Sequence, residues 1–423
     1  MRLLQCPSCC NLDNKESQAH SHNHLNSELS TSSSLSSQPS LPSVPSLTPQ
    51  SQSQTTHHKL LTTINNHSSP IVSLALHGKF LYSGSSNSEI IRACITNNDN
   101  NNVVVAISNG VIKSLIVFGD KLFSAHQDHK IRVWKIETNS SPNERYKCIA
   151  TLPTFNDRIS KLFSSKNYVK VRRHKKYTWV HHVDTVSALA LSSDGSLLYS
   201  ASWDRTFKIW RTSDFKCLES VRNAHDDAIN ALVLSNDGVV YTGSADKKIK
   251  VWKSSDNKNN HQKQHTLLGT LEKHKSAVNA LALSTDGSIL YSGACDRSIL
   301  VWENKSTNNN DINININIVL VGALRGHTKA ILCLVVVADL VCSGSADNSV
   351  RIWRRGIEWN YSCLAVLEGH RKPVKCLAIG VESNNGGPHN NDDDNNTSSY
   401  HLYSGSLDCD IKLWQIRTIP TLS

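Results

Sequence analysis

Nowhere in the 423 residues does an apolar run reach the roughly 18 positions that mark a membrane-crossing helix. The start of the chain is no richer. Leu3 and Leu4 stand alone before Gln5 and Cys6, too little for the apolar core of a secretory leader. The expectation is a chain kept in the nucleus and cytoplasm, where its 12 cysteines remain thiols. Metal-spaced His/Cys sets, phosphate-cradling glycine loops and isolated carboxylate pairs are missing as well. No metal, cofactor or catalytic residue is therefore assigned. The cluster Cys6-Pro7-Ser8-Cys9-Cys10 has no second pair downstream. Zinc binding and S-acylation are its functional readings, and an ordinary reduced tail is the favoured one. Charge of one sign is only mildly in excess: 45 basic against 35 acidic residues give a formal net charge of +10. That leaves room for an acidic partner without requiring one.

Aromatic residues are only 6% of the chain, yet six of its nine tryptophans recur at one place in a repeat. Each follows an Asp by six residues: Asp128/Trp134, Asp204/Trp210, Asp246/Trp252, Asp296/Trp302, Asp347/Trp353 and Asp408/Trp414. Four residues before each Asp stands a Ser or Thr: Ser124, Ser200, Thr242, Ser292, Ser343 and Ser404. Farther upstream, five of the copies carry a His ahead of an alternating apolar run: His182, His225, His274, His327 and His370. Two copies are worn. In one, Ser108 takes the His position; in the other, His67 and Ser83 persist while Asn87 replaces Asp and Ala93 replaces Trp. Seven units result.

Within a unit the period is two, as strands require. In the third, Val186, Ala188 and Ala190 alternate with Ser187, Leu189 and Leu191 before the hairpin turn Ser193-Asp194-Gly195. Further strands follow at 197–201, 206–210 and 216–221. Four antiparallel strands repeated radially make a propeller blade. The fold class read from the sequence is all-β: a seven-bladed β-propeller with a disordered N-terminal arm.

"SGSADNSVRIW" and "SASWDRTFKIW" state the pattern most clearly, and over residues 58–419 it resembles the WD-repeat (WD40) family. The resemblance implies that His, Ser or Thr, Asp and Trp form a hydrogen-bonded chain in each blade. The chemistry suits that: Trp offers one N–H, hydroxyl and imidazole relay, and the carboxylate accepts. A Ser–His–Asp catalytic reading fails because the trio recurs in almost every blade. The last unit ends without a fourth strand, and the segment 59–64 precedes the first His as 216–221 precedes His225. It is expected to pair onto the last blade and close the ring, removing an exposed edge.

Residues 1–57, rich in Ser, Gln and Pro, read as a disordered arm, and 420–423 as a tail. Asn-rich runs at 97–102, 256–260, 307–317 and 382–399 read as loop expansions, which cost little closure entropy. The alternation from Asp311 to Ile318 reads as an extension of an outer strand. A long insert, 153–181, separates units two and three. It holds Phe155, Ile159, Leu162, Phe163, Tyr168 and Trp179, too apolar for disorder, with a helical turn expected at 157–163. With its run "NYVKVRRHKK" this insert resembles the plant WD-repeat proteins called JINGUBANG. That resemblance implies a regulator of pollen germination and tube growth acting through protein contacts.

The leading function is a non-enzymatic scaffold for regulatory proteins, transcription factors among them. The candidate contact residues are Trp203, Arg205, Lys247 and Arg297 beside the turn Asp residues, and Arg172, Arg173, Lys175 and Lys176 of the insert. Trp203 stands where the other intact units carry Ala245, Cys295, Ala346 and Leu407, and Trp and Arg are enriched at binding hot spots. The alternative is a nucleic-acid-binding or chromatin-associated propeller using the same basic rim. The insert's basic run also suits nuclear import. Residues after the strand-three tryptophans do not form the WDxR box of ligase adaptors, which disfavours a cullin-ligase receptor.

Overall fold

The computed structural model describes residues 44–48, 57–65, 67–94, 103–137, 145–162, 168–172, 175–256, 263–305, 317–382 and 398–418. These form seven four-stranded antiparallel sheets and one small hairpin. The sheets are the blades of a seven-bladed propeller. Blade three runs Val186–Leu191, Leu197–Ser202, Phe207–Arg211 and Cys217–Val221 from the centre outward. Its alternation puts Leu189, Leu198, Tyr199 and Ile209 into the blade interfaces, each at most 6% exposed.

The first hairpin of that blade shows why a glycine is needed. Ser192 Oγ accepts from Leu197 N at 2.9 Å, Asp194 Oδ1 accepts from Ser196 N at 3.1 Å, and Gly195 sits at φ +69°. A Cβ there would also stand 2.1 Å from the Phe118 ring of blade two. Gly195 is thus required by both backbone and space.

Blades pack face to face, and the core is a circle of interfaces rather than one centre. Tyr82 and Ile90 of blade one meet Ile112 and Leu115 of blade two. The circle returns where Ile71, Leu74 and Leu81 meet Tyr403, Ile411 and Leu413 of blade seven. The middle residue of the recurring Ser-Gly-Ser sets the spacing. A Cβ at Gly84, Gly243, Gly293 or Gly405 would come within 2.5–2.8 Å of Ile112, Val278, Ile331 or Ile71 in the next blade. Interiors packed this closely leave no room for the extra methyl.

Closure occurs through the N-terminal side. His57–Ile64 is the outer strand of blade seven, paired antiparallel with Ile411–Thr418 in a register that sets Leu60 opposite Trp414 and Ile64 opposite Ile411. Strand addition at this edge leaves no open sheet where the ring begins and ends.

The insert begins with the helix Phe155–Leu162, started two residues before the expected turn. Thr154 caps it by accepting from Asp157 N at 3.3 Å. A hairpin not foreseen in the sequence, Tyr168–Arg172 with Lys175–Thr178, follows. Most of the arm, residues 1–43 and 49–56, lies outside the described residues. Residues 44–48 are not loose but seated on blade five, where Val44 is 5% exposed. Of the alternating run, 311–316 lies outside the described residues and the strand begins at Ile318. The Cys6–Cys10 cluster also lies outside them. The nine described cysteines are free thiols. Burial pushes the thiols of Cys333 and Cys342 up to about 12, and these act as small apolar side chains. No described helix is long and apolar enough to cross a membrane.

Candidate protein-binding face

Five blades carry the complete polar chain. Trp210, Trp252, Trp302, Trp353 and Trp414 donate from Nε1 to Ser200, Thr242, Ser292, Ser343 and Ser404 at 2.8–2.9 Å. Each hydroxyl lies 2.8 Å from the Nε2 of His182, His225, His274, His327 or His370. Each Nδ1 lies 2.8–3.0 Å from Asp204, Asp246, Asp296, Asp347 or Asp408. The indole can only donate, so the hydroxyl accepts from it, and the ionised carboxylate can only accept, so each imidazole donates to it from Nδ1.

The Asp is the knot that ties two loops together. Asp347 Oδ2 also accepts from Thr328 N at 3.0 Å, and Oδ1 from Ser349 N at 3.0 Å. Asp204 does the same with Val183 N and Thr206 N at 2.9 Å each. Burial works to raise the Asp204 carboxyl, but the His182 imidazole, the Lys208 ammonium and the Thr206 hydroxyl outweigh it and hold it below the usual carboxylate range. For His182 burial dominates over the attraction of Asp204 and keeps the ring below its usual value.

The worn blades solve the same problem differently. In blade two Ser108 does stand in the His loop, but the imidazole comes from His126, two residues before Asp128. His126 Nε2 lies 2.8 Å from Ser124 Oγ, which accepts from Trp134 Nε1 at 2.9 Å, and Ser108 Oγ lies 3.3 Å from His126 Nδ1. Asp128, released from a His, pairs with Arg132 at 2.5 Å. In blade one His67 Nε2 lies 2.7 Å from Ser83 Oγ, and Asn87 donates to Ser68 Oγ at 3.2 Å. Burial drives His67 and His126 down to about 4.

These knots fix a turn of one shape in every blade. The residue after the Asp position has positive φ throughout: Ser88, His129, Arg205, Lys247, Arg297, Asn348 and Cys409, between 66° and 77°. The left-handed conformation turns these side chains out on one face of the ring. His129, Arg205 and Lys247 are exposed there, and Arg297 is half-buried. Sequence reasoning stopped at blades three to five. The basic arc continues through the His loops of blades five to seven, where Lys275, Lys329, Arg371 and Lys372 are exposed. Asp226 and Asp227 of blade four interrupt it.

Trp203 does not stand free on this face. It is half-buried and packs on Ala228, Ala245 and Ala277 of the two following blades, with Cys295 alongside. Ala245 is only 6% exposed, with the larger Trp203 packed against its cluster. Lys113 Nζ lies 5.1 Å from the Trp203 ring centroid. Lys113 and Lys375 are the residues skipped by bulges on the inner strands of blades two and seven. Burial, then the charge of Lys375, lowers the Lys113 ammonium to about 8. Sequence reasoning missed both lysines, since nothing marks a bulge in an alternating run.

The insert's basic residues lie elsewhere, on the small hairpin. Arg172 ends its first strand, Lys175 and Lys176 begin its second, and Arg173 lies outside the described residues. The helix before them is fastened to the outer wall of blade three, where Asp157 Oδ2 accepts from Cys217 N at 2.8 Å. Buried Lys208 donates to the Trp179 carbonyl at 2.7 Å and so holds the end of the insert. Among the described residues no group of three or more His, Cys, Asp or Glu is placed to hold a metal.

Residues 173–211, 215–253, 265–303, 318–354 and 361–415 match the family model described as WD domain, G-beta repeat. This chain is a WD40-repeat propeller. The matched stretches are the five blades with complete polar chains, and the two worn blades of this WD40 protein lie outside them. It is 24% identical over 270 residues to Autophagy-related protein 16 of Arabidopsis thaliana, covering 60% of this chain and 48% of that one. It is 30% identical over 187 residues to Protein ROOT INITIATION DEFECTIVE 3 of the same plant, covering 41% and 40%. The Apoptotic protease-activating factor 1 of Danio rerio is 23% identical over 253 residues, covering 57% of this chain and 16% of that one. The chain thus spans less than half the length of each of these relatives, and the likeness supports a protein-interaction role.

Proposed function

We propose that this propeller is a non-enzymatic scaffold whose His-loop face holds acidic segments of regulatory proteins, transcription factors among them. The observation that supports it best is the arc of basic side chains carried on rigid left-handed turns and His loops on the same face as the half-buried Trp203. Fixed cations at the rim steer and orient an acidic partner, and a central aromatic supplies the desolvated anchor. The resemblance of the insert to plant regulators of pollen germination and tube growth supports a role of that kind, exercised in nucleus and cytoplasm. The insert, fastened at Asp157 and Lys208, serves as a second contact surface on the side wall.

The test is affinity capture from plant cells under nuclease treatment, comparing wild type with Arg205→Glu/Lys247→Glu and with Trp203→Ala. Nuclease-resistant proteins bound by wild type and lost from the charge-reversed form support the scaffold. Partners unchanged in both variants would move the site off this face. Recovery of nucleic acid instead of protein, falling steeply with salt, would replace the scaffold by the nucleic-acid reading.

A further inference from the structure

The arm adds one parallel β-bridge to the outer edge of blade five. Val44–Thr48 lies parallel to the outer strand Ile318–Leu324, with Ser46 bridged to Ala323. Leu47 N donates to the Ala323 carbonyl at 3.0 Å, and Ala323 N donates to the Pro45 carbonyl at 3.0 Å. From blade six, Tyr361 N donates to the Leu47 carbonyl at 2.9 Å, and Arg325 Nη2 donates to the Val44 carbonyl at 2.6 Å. Val44 joins the core between blades four and five, while Leu47 packs on the far side with Tyr361 and Trp353.

Two comparisons within the molecule separate this contact from ordinary blade structure. The first is with blade four. Gly269 stands at the register position of Gly322, since Val251 faces Gly269 as Val301 faces Gly322. Over Gly322 a Cβ would meet Leu47 at 2.6 Å and the Pro45 carbonyl at 2.9 Å; over Gly269 nothing lies within 4 Å. At matched register, Leu267 and Thr270 of blade four are exposed, whereas Leu320 of blade five is half-buried and Ala323 is covered. A blade with this outer strand therefore forms without such a bridge. The second comparison is with the closing strand, which pairs along His57–Ile64. The arm segment has one bridge, and Pro45, lacking an N–H, prevents the pairing from lengthening.

The groove reads little of its occupant beyond extended backbone and two apolar side chains, the recognition mode of strand addition. The arm itself repeats the pattern in Pro39-Ser40-Leu41, Pro42-Ser43-Val44 and Pro45-Ser46-Leu47. We propose that the outer edge of blade five is a docking groove for an extended Val-Pro-Ser-Leu-like segment of a partner protein, and that the arm occupies it in cis as a replaceable plug. The short connection between Thr48 and His57 holds the plug at high effective concentration, so a partner enters only when its segment binds more tightly or the arm is held elsewhere. This surface is on the side wall and does not depend on the basic face.

The experiment uses the full chain and a fluorescein-labelled peptide with the sequence of residues 42–49, followed by anisotropy. Val44→Asp/Leu47→Asp empties the groove and is expected to bind the peptide saturably, at least about tenfold more tightly than wild type, which is self-plugged. Adding Gly322→Leu, which fills the groove from the propeller side, should abolish that binding. No saturable binding to the emptied form, equal binding by wild type, or indifference to Gly322→Leu would each overturn the proposal. Loss of cooperative thermal unfolding in the emptied form and in Gly322→Leu alone would make the segment a permanent brace, which also overturns it. A wild-type dimer in light scattering that dissociates on Val44→Asp/Leu47→Asp would put a second copy's arm in the groove, against the cis plug.

Discussion

The individual residue that organises this protein is the turn Asp, because one carboxylate satisfies an imidazole and two loop amides at once. In blade six, Asp347→Ala removes the acceptor shared by His327 Nδ1, Thr328 N and Ser349 N; Thr328 is exposed and can turn to water, whereas His327 and Ser349 are buried and His327 Nδ1 keeps only the Ser349 hydroxyl at 3.3 Å. Each buried donor left without a partner costs about 1–3 kcal/mol. The variant is expected to unfold several degrees below wild type in a thermal melt, and an unchanged midpoint would contradict the role given to the chain. The imidazoles make a second expectation at this scale. His67 and His126 sit near 4 in the fold, lowered by burial, and His182 and His370 are lowered in the same direction. The unfolded chain takes up these protons near the ordinary value of 6.5, and the folded chain refuses them until lower pH. Stability from these groups is therefore complete above about pH 6.5 and is lost as pH falls from there toward 4. Urea midpoints measured from pH 7.5 to 4.5 should decline through that window; a flat profile would show that the imidazoles are not held neutral. Residue spacing made five of the chains legible in the sequence. His126 was not, because it reaches Ser124 from the end of the same strand, where the other blades carry Ser85, Ser202, Ser244, Ala294, Ser345 and Ser406 at the corresponding position.

At the scale of the element, the turn after each Asp was visible as a break in the strand pattern, but its left-handed residue was not. Nothing in Arg205 or Lys247 favours positive φ. The knot of bonds around the preceding Asp imposes it, and strain of this kind persists only where the surroundings over-determine it. The Gly195 turn is simpler: there the residue type itself marks the conformation. Gly195→Ala is expected to lower stability by roughly 1 kcal/mol or more, from positive φ and contact with Phe118, as read from urea unfolding. A neutral result would mean that the Phe118 contact relaxes freely. The insert helix is expected to be separable from the ring. Asp157→Ala removes the acceptor for Cys217 N and should speed amide exchange across Phe155–Leu162 while the blade strands keep their protection. Exchange that rises equally in blade three would make the insert part of that blade's core.

At the scale of the whole molecule, closure is what joins the two ends of the chain. Ile411–Thr418 without His57–Ile64 is an open sheet edge beside the interface between blades seven and one. Deleting residues 57–64 is expected to lower the thermal midpoint by about 5 °C or more and to promote concentration-dependent aggregation. A monomer with wild-type stability would show that the ring closes without this strand. The repeat, the number of blades and this closing segment were all determined by the sequence, because strand period, turn residues and the recurring Asp and Trp are local and survive in one dimension. Only the tertiary structure decided how the worn blades complete themselves, that Trp203 lies on its neighbours, that the basic arc runs through two kinds of loop, and that Val44–Thr48 is seated on blade five. Each of these joins side chains from different blades or from the arm. Such contacts are set by ring geometry and packing rather than spacing along the chain, so no pattern in the sequence alone distinguishes them.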